Sequence, residues 1–277
     1  MSVRFAAVSA AKKAVKLALL APATARRTSE PGLYVLIYHR VGAGQGQEMD
    51  LPLGTFRQQM EWLSQNAEVV PLADGLDRLS GDPLQRDLVA ITFDDGYGDV
   101  FTRAWPVLRD LVLPATVFLA TGFMEGESAA PIRPGAGDRG EPAAALGWDQ
   151  VGEMAASGLI AVGSHTHTHR SLDSLSPAEA EEECERSNQV LRSRAGVEPD
   201  TFAYPRAVVG NEDVVARRYR WAVAGDGTKN VPGRVEPHRL LRTPVRASDG
   251  MFFFRRRLDG IAPLEDRLYD RLRRSSR

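Results

Sequence analysis

The chain has 277 residues, 43% of them hydrophobic, with 35 basic and 36 acidic side chains and a net charge of −1. That is long enough to bury one large core and suits a single α/β barrel of moderate size. The balanced charge leaves no electrostatic footprint for nucleic acid. The single cysteine, Cys184, excludes an intrachain disulfide and fits a reducing compartment.

The first 27 residues carry Arg4, Lys12, Lys13, Lys16, Arg26 and Arg27 and no acid. Leu17–Leu20 followed by Ala21-Pro22-Ala23 resembles a short export signal, but lysines run up to position 16 and leave few apolar residues. A basic amphipathic leader over 1–32 is the expectation, on a cytoplasmic protein that touches membrane peripherally; export with a weak signal is the alternative. Leu33–Tyr38 is a continuous apolar run, as for a strand buried on both faces, and ends at His39-Arg40-Val41. Thr55 is placed to cap a helix carrying Phe56, Met60 and Leu63, with Gln58 at the reciprocal position. Leu88–Phe93 reads as a second buried strand, a helix with Trp105-Pro106 follows, and Ala115–Leu119 reads as a third strand.

Residues 124–147 form a long loop rich in Gly, Pro and Ala, a length usually kept for function. A helical pattern runs from Trp148 to Ala156 and stops at Gly158, followed by a strand over Leu159–Gly163. Ser176-Pro177-Ala178-Glu179 is a capping box with Pro at the first helical position; that helix runs to Ala195 and ends at Gly196. Cys184 lies on it among acids, where a partly exposed bystander thiol is expected. Thr201–Tyr204, Arg220–Val223 and Leu240–Val245 are the later strands. Strands alternating with helices imply a parallel sheet, and this count favours an α/β fold closed into a distorted (β/α) barrel of seven strands over residues 33–248. Residues 249–277 then form a basic helical extension, with Leu264, Leu268 and Leu272 in a stripe beside Arg267, Arg271 and Arg274. There is no internal repeat.

Chemistry concentrates at two strand ends. Thr92-Phe93-Asp94-Asp95-Gly96 puts adjacent carboxylates and a turn-forming Gly after a buried run, and His165-Thr166-His167-Thr168-His169 puts three of the five histidines within five residues. Asp-Asp-Gly is also good turn chemistry by itself. Successive strand residues face opposite ways, so both carboxylates reach one site only if the chain bends at Asp95-Gly96. On a strand all three histidines share a face; on a helical turn His165 and His169 do and His167 points away. A carboxylate and two imidazoles can hold one metal, with the second carboxylate left as a base, and open metal sites that activate water are built this way. His39 falls at another strand end and His238 in a loop.

These two segments resemble the polysaccharide deacetylases, the carbohydrate esterase family with homology to the rhizobial chitooligosaccharide deacetylase, which carry a TFDDG and an H-S/T-x-x-H motif. Tyr38-His39-Arg40-Val41, Pro114–Leu119, Trp148-Asp149-Gln150 and Phe202–Pro205 also have counterparts there, so the resemblance covers roughly 33–245. It implies Asp94 as general base and Asp95, His165 and His169 as ligands of a divalent metal, Zn²⁺ first, with Co²⁺, Ni²⁺ or Fe²⁺ as alternatives. It implies His39 as general acid, with His238 as runner-up because the family's late Leu-x-His segment is missing. The backbone N–H of Arg206 is implied in holding the oxyanion, with Tyr204, Pro205, Trp148 and Arg242 among the oxyanion and substrate contacts. Two positions depart from the pattern. Arg206-Ala207 replaces an aromatic and a Gly, and Ala203 replaces the arginine that orients the base, leaving Arg206 or Arg242 to serve. The implied reaction removes N-acetyl groups from amino sugars of a glycan or lipid-linked glycan precursor. The alternatives are an ester or other amide hydrolase on the same metal, or an inactive glycan-binding relative; an amidohydrolase barrel would want its His-x-His at the first strand.

Overall fold

The structure is a computed structural model and describes residues 30–81, 83–132, 143–225, 227 and 229–258. The basic leader up to residue 29, the Leu264–Leu272 stripe and the middle of the 124–147 loop lie outside the described residues.

Six strands run parallel in one curled sheet: β1 (Leu33–Tyr38), β5 (Leu88–Phe93), β6 (Ala115–Leu119), β7 (Ile160–Ser164), β8 (Thr201–Ala203) and β9 (Trp221–Val223). The two-residue strands β2 (Arg40–Val41) and β3 (Asp50–Leu51) pair with each other, β4 (Glu68–Val69) adds to the start of β5, and β10 (Thr243–Pro244) pairs beyond β1. The path β10-β1-β5-β6-β7-β8-β9 counts seven strands. Leu240 bridges to Val223 on β9, and Thr243 pairs with Leu36 on β1. One short segment therefore touches both ends of the sheet and draws it round into the distorted barrel. All residues of β1 and β5 are buried, which is why both read as unbroken apolar runs.

The helices are α1 (Leu53–Asn66), α2 (Leu72–Leu79), α3 (Trp105–Asp110, after a π-helical turn at Val100–Ala104), α4 (Thr121–Met124), α5 (Trp148–Ala156), α6 (Pro177–Ala195), α7 (Glu212–Ala216) and α8 (Gly250–Leu258). The capping box forms as its sequence dictates: Ser176 Oγ accepts from Glu179 N–H, Glu179 accepts from Ser176 N–H, and Gly196 closes α6 at φ 64. Thr55 does not cap α1. The cap lies three residues earlier, at Pro52, whose fixed φ of −55 leads into a helix that begins at Leu53. Cys184 is fully buried against Tyr219 and the sheet, not partly exposed, and burial pushes its thiol up to about 12. α8 docks on α1 through Phe254 edge-on to Trp62, and a buried Asp249–Arg257 pair ties the residue just before the helix to its last turn.

Candidate metal centre

Register places the site. Tyr38 pairs with Phe93, and Leu119 with Ser164, so the residues just beyond β1, β5 and β7 meet at one rim. They are His39, Asp94 and His165. At that rim β5 turns sharply. Asp95 has φ 78 and Gly96 φ 84, the bend that both carboxylates require. An added Cβ at Gly96 would also sit 3.0 Å from Leu119, so glycine is required twice over.

Asp95, His165 and His169 offer ligand atoms that all lie within 4.8 Å of one another. Asp95 Oδ1 lies 3.5 Å from His165 Nε2 and 3.3 Å from His169 Nε2, and this buried oxygen accepts no hydrogen bond. Donors sharing one tetrahedral ion at about 2.0–2.1 Å lie roughly 3.3–3.4 Å apart, so the spacing suits a shared cation. His165 Nδ1 is 2.7 Å from the carbonyl oxygen of Ala203 and donates to it in the tautomer that leaves Nε2 free as a ligand. Burial pulls the His165 pKa down, but the carboxylates of Asp94 and Asp95 outweigh it and raise it; the pocket favours positive charge at this point. Burial and the neighbouring His165 push His169 down to about 4, which leaves a neutral imidazole. The donor set fits a divalent metal.

The carboxylate left over is Asp94. Burial would raise its pKa, but the Arg242 guanidinium, His165 and His39 reverse this and hold it at about 2. Arg242 is buried, donates through Nη1 to Asp94 Oδ1 at 2.7 Å, and is fixed by Nε on the Ala224 carbonyl at 2.8 Å. The arginine that orients this carboxylate therefore comes from the segment that closes the barrel. Arg206 is exposed and lies with His169 on a cavity of about 350 Å³ also lined by Ser128–Pro131 and Thr168–Ser171. Arg206 and Ala207 have φ 58 and 61, so the turn after Pro205 has the left-handed backbone that a glycine would take without strain.

His39 is half-buried and near enough to act on the charges of Asp94, Asp95 and His169. Its neighbours in the chain are anchored on both sides. Tyr38 donates to Gln59, and Arg40 pairs with buried Asp99 at 2.8 Å with its guanidinium over the Tyr97 ring. His167 points away from the metal ligands, toward Thr121 Oγ1 at 2.9 Å and Glu127 at 3.1 Å.

Two expected residues are not brought to this rim. His238 Nε2 is 3.0 Å from the Tyr219 carbonyl oxygen, before β9 begins, at the opposite end of the barrel. The Tyr204 ring is buried edge-on to Phe202, in the layer beneath α6 and α7. Trp148, the third expected contact, gives its indole N–H at 2.6 Å to Glu125, the residue that ends α4. For Tyr204 a strand-end position misled, because alternate residues on a short strand face opposite layers. Sequence reading missed Asp99, which anchors Arg40 and the Val41 N–H next along the chain from His39, and Thr121, which meets His167; the only signal was a polar residue at the start of a helical run.

Residues 81–220 match the family model described as polysaccharide deacetylase, a span that includes Asp94, Asp95, His165, His169 and Arg206 but neither His39 nor Arg242. The polysaccharide-deacetylase-like protein YxkH of Bacillus subtilis (strain 168) is 28% identical over 228 residues, 81% of this chain and 75% of that one. The poly-beta-1,6-N-acetyl-D-glucosamine N-deacetylase of Escherichia coli (strain K12) is 30% identical over 141 residues, 49% of this chain and 20% of that one. Among solved structures, IcaB from Ammonifex degensii superposes with a TM-score of 0.67 at 24% identity, covering 84% of this chain and 97% of that one. The Streptococcus pyogenes deacetylase PplD in complex with acetate gives 0.68 at 20% identity, covering 82% and 98%. With the curled parallel sheet and the Asp/His cluster at its rim, the match over half the chain means that this protein belongs to the polysaccharide deacetylase family.

Proposed function

We propose that the chain removes N-acetyl groups from amino sugars of a glycan or lipid-linked glycan, using a divalent metal, Zn²⁺ first, with Co²⁺, Ni²⁺ or Fe²⁺ as alternatives. One observation carries this reading. A buried, partnerless Asp95 oxygen faces two imidazole nitrogens while a second carboxylate, Asp94, stands beside them held ionised by Arg242. Asp95, His165 and His169 would hold the metal, which when bound lowers the pKa of water to about 7 and polarises an acyl carbonyl. Asp94 accepts the proton of the attacking water. Arg242 keeps that carboxylate charged and aimed. The backbone N–H of Arg206 donates to the acetyl oxygen as it gains charge. His39 protonates the leaving amine, since an amine anion is too basic to expel. The E. coli relative's name supports a β-1,6-linked N-acetylglucosamine oligomer as the first substrate to try.

The test is free-amine release from a panel of acetylated glycans with each metal supplied in turn. Release from at least one pair is expected, and none from any pair would overturn the reading. His165→Ala and His169→Ala should each lose metal and activity while keeping the fold; full metal content in both variants would remove them as ligands. Peripheral contact with anionic membrane belongs to the same proposal. It is supported by the basic leader and by α8, where exposed Phe252 lies under Arg256 and Arg255 lies over Trp62. Such attraction is worth about 1 kcal/mol per basic residue and weakens with salt. Sedimentation with anionic vesicles at low salt should show it, and no bound fraction there would end it.

A further inference from the structure

His169 follows His165 by four residues, and the chain must double back between them for both to face Asp95. It does so with two non-glycine residues at positive φ, Thr166 at 65 and His169 at 59. For β-branched Thr166 this conformation is a genuine outlier that persists only when its surroundings over-determine it. One side of the loop is held by α4: Thr121 N–H donates to the Thr166 carbonyl and Gly122 N–H to that of His167. The other side presents three donors, the N–H groups of His167 and Thr168 and the Thr168 hydroxyl. All three converge on one carboxylate, that of Glu183 on α6. Oε2 accepts both backbone N–H groups, at 3.0 and 2.7 Å, and Oε1 accepts the hydroxyl. Glu183 is buried, with no arginine or lysine paired to it among the described residues. Its neighbours on the same helix face also grip this region. Ser187 meets Ser164 at 2.9 Å, and Asn188 accepts from Tyr219, whose hydroxyl also reaches Ser164.

We infer that Glu183 is a positioning residue for the metal centre: it clamps the Thr166–His169 loop in the shape that delivers His169 to Asp95, and so sets metal affinity. The inference rests on the metal-ligand reading above. What matters is the set of three hydrogen bonds and not the charge. A glutamine can reproduce all three, its carbonyl oxygen accepting both backbone N–H groups and its amide donating to the Thr168 hydroxyl. Leucine has similar bulk and can make none.

The experiment compares wild type, Glu183→Gln and Glu183→Leu as purified full-length protein, measuring Zn²⁺ affinity by competition with a chromogenic chelator, without substrate. Loss of such supporting partners typically weakens metal binding about 10–100-fold. Glu183→Leu should show that loss and recover activity in excess metal, while Glu183→Gln stays within about 3-fold of wild type by the hydrogen-bond count. A purely stabilising role would lower the melting temperature of metal-free Glu183→Leu and leave Zn²⁺ affinity unchanged, which would overturn the inference. Equal loss in both variants would overturn it too, by making charge the cause. Should Glu183→Leu fail to fold, Thr168→Val removes only the Oε1 bond and should still weaken binding several-fold; unchanged affinity there refutes the clamp. A wild type that binds no Zn²⁺ would instead defeat the metal-ligand reading itself.

Discussion

Asp94 shows how strongly one side chain depends on another at this site. In isolation its burial would drive the carboxyl toward neutrality, and a neutral carboxyl cannot take a proton from water. Arg242 reverses that, at 2.7 Å and fixed from behind by the Ala224 carbonyl. Arg242→Met should therefore leave metal content intact but raise the Asp94 pKa from about 2, because burial then acts with less opposition. A base with a raised pKa is lost at higher pH, so the acidic limb of the kcat/KM profile should move toward neutrality. An unmoved limb with a uniformly lower rate would assign Arg242 to substrate binding. His39 makes a different prediction at the same scale. His39→Ala should slow an amide substrate by roughly 10²–10⁴-fold. It should barely affect an activated acetyl ester, whose leaving group needs no proton. Parallel loss on both substrates, read from initial rates, would make His39 a binding residue.

At the scale of elements, the sequence was most legible where one force decides. The doubly buried strands β1, β5 and β6 are visible as apolar runs with their observed boundaries, and the ends of α6 are visible in Ser176, Glu179 and Gly196. The Asp94–Asp95 bend is legible because the pleat forces it. Harder to see was anything set by non-local contact. Nothing local marks Arg242 as the partner of Asp94 across 148 residues, and Glu183 is one acid in a run of three. Only helical spacing with Ala180, Ser187 and Leu191 hints that it faces inward. The loop between His165 and His169 extends this dependence to α4. Gly122 N–H meets the His167 carbonyl oxygen at 2.6 Å, and a Cβ at Gly122 would lie 2.7 Å from that same oxygen. Gly122→Ala should thus push the loop away, costing about 1–3 kcal/mol by overpacking, and weaken metal binding as well. Thermal melting with and without Zn²⁺ tests this: an unchanged melting temperature and an unchanged zinc-induced shift would mean the loop gives way freely.

For the whole molecule, the question is whether the barrel and its metal centre open as one unit. The α6 helix links them. Its inward face carries Glu183, against the loop bearing His169, and one residue on carries Cys184, fully buried. Burial holds that thiol at about 12, so at pH 8 it is both protonated and unreachable. Alkylation therefore requires α6 to come away from the sheet. If α6 leaves only when the whole unit unfolds, the reactive state has also lost its metal site. Anything that binds the native state alone must then slow labelling. A free ligand at 100 times its dissociation constant stabilises by about 2.7 kcal/mol, which lowers the open population about 100-fold. The expected result is negligible iodoacetamide labelling of Cys184 in native buffer and complete labelling in denaturant. At intermediate urea, where opening and closing outpace alkylation, saturating Zn²⁺ should slow the rate about 100-fold. A labelling rate indifferent to Zn²⁺, in protein shown to bind it, would mean that α6 opens separately from the site.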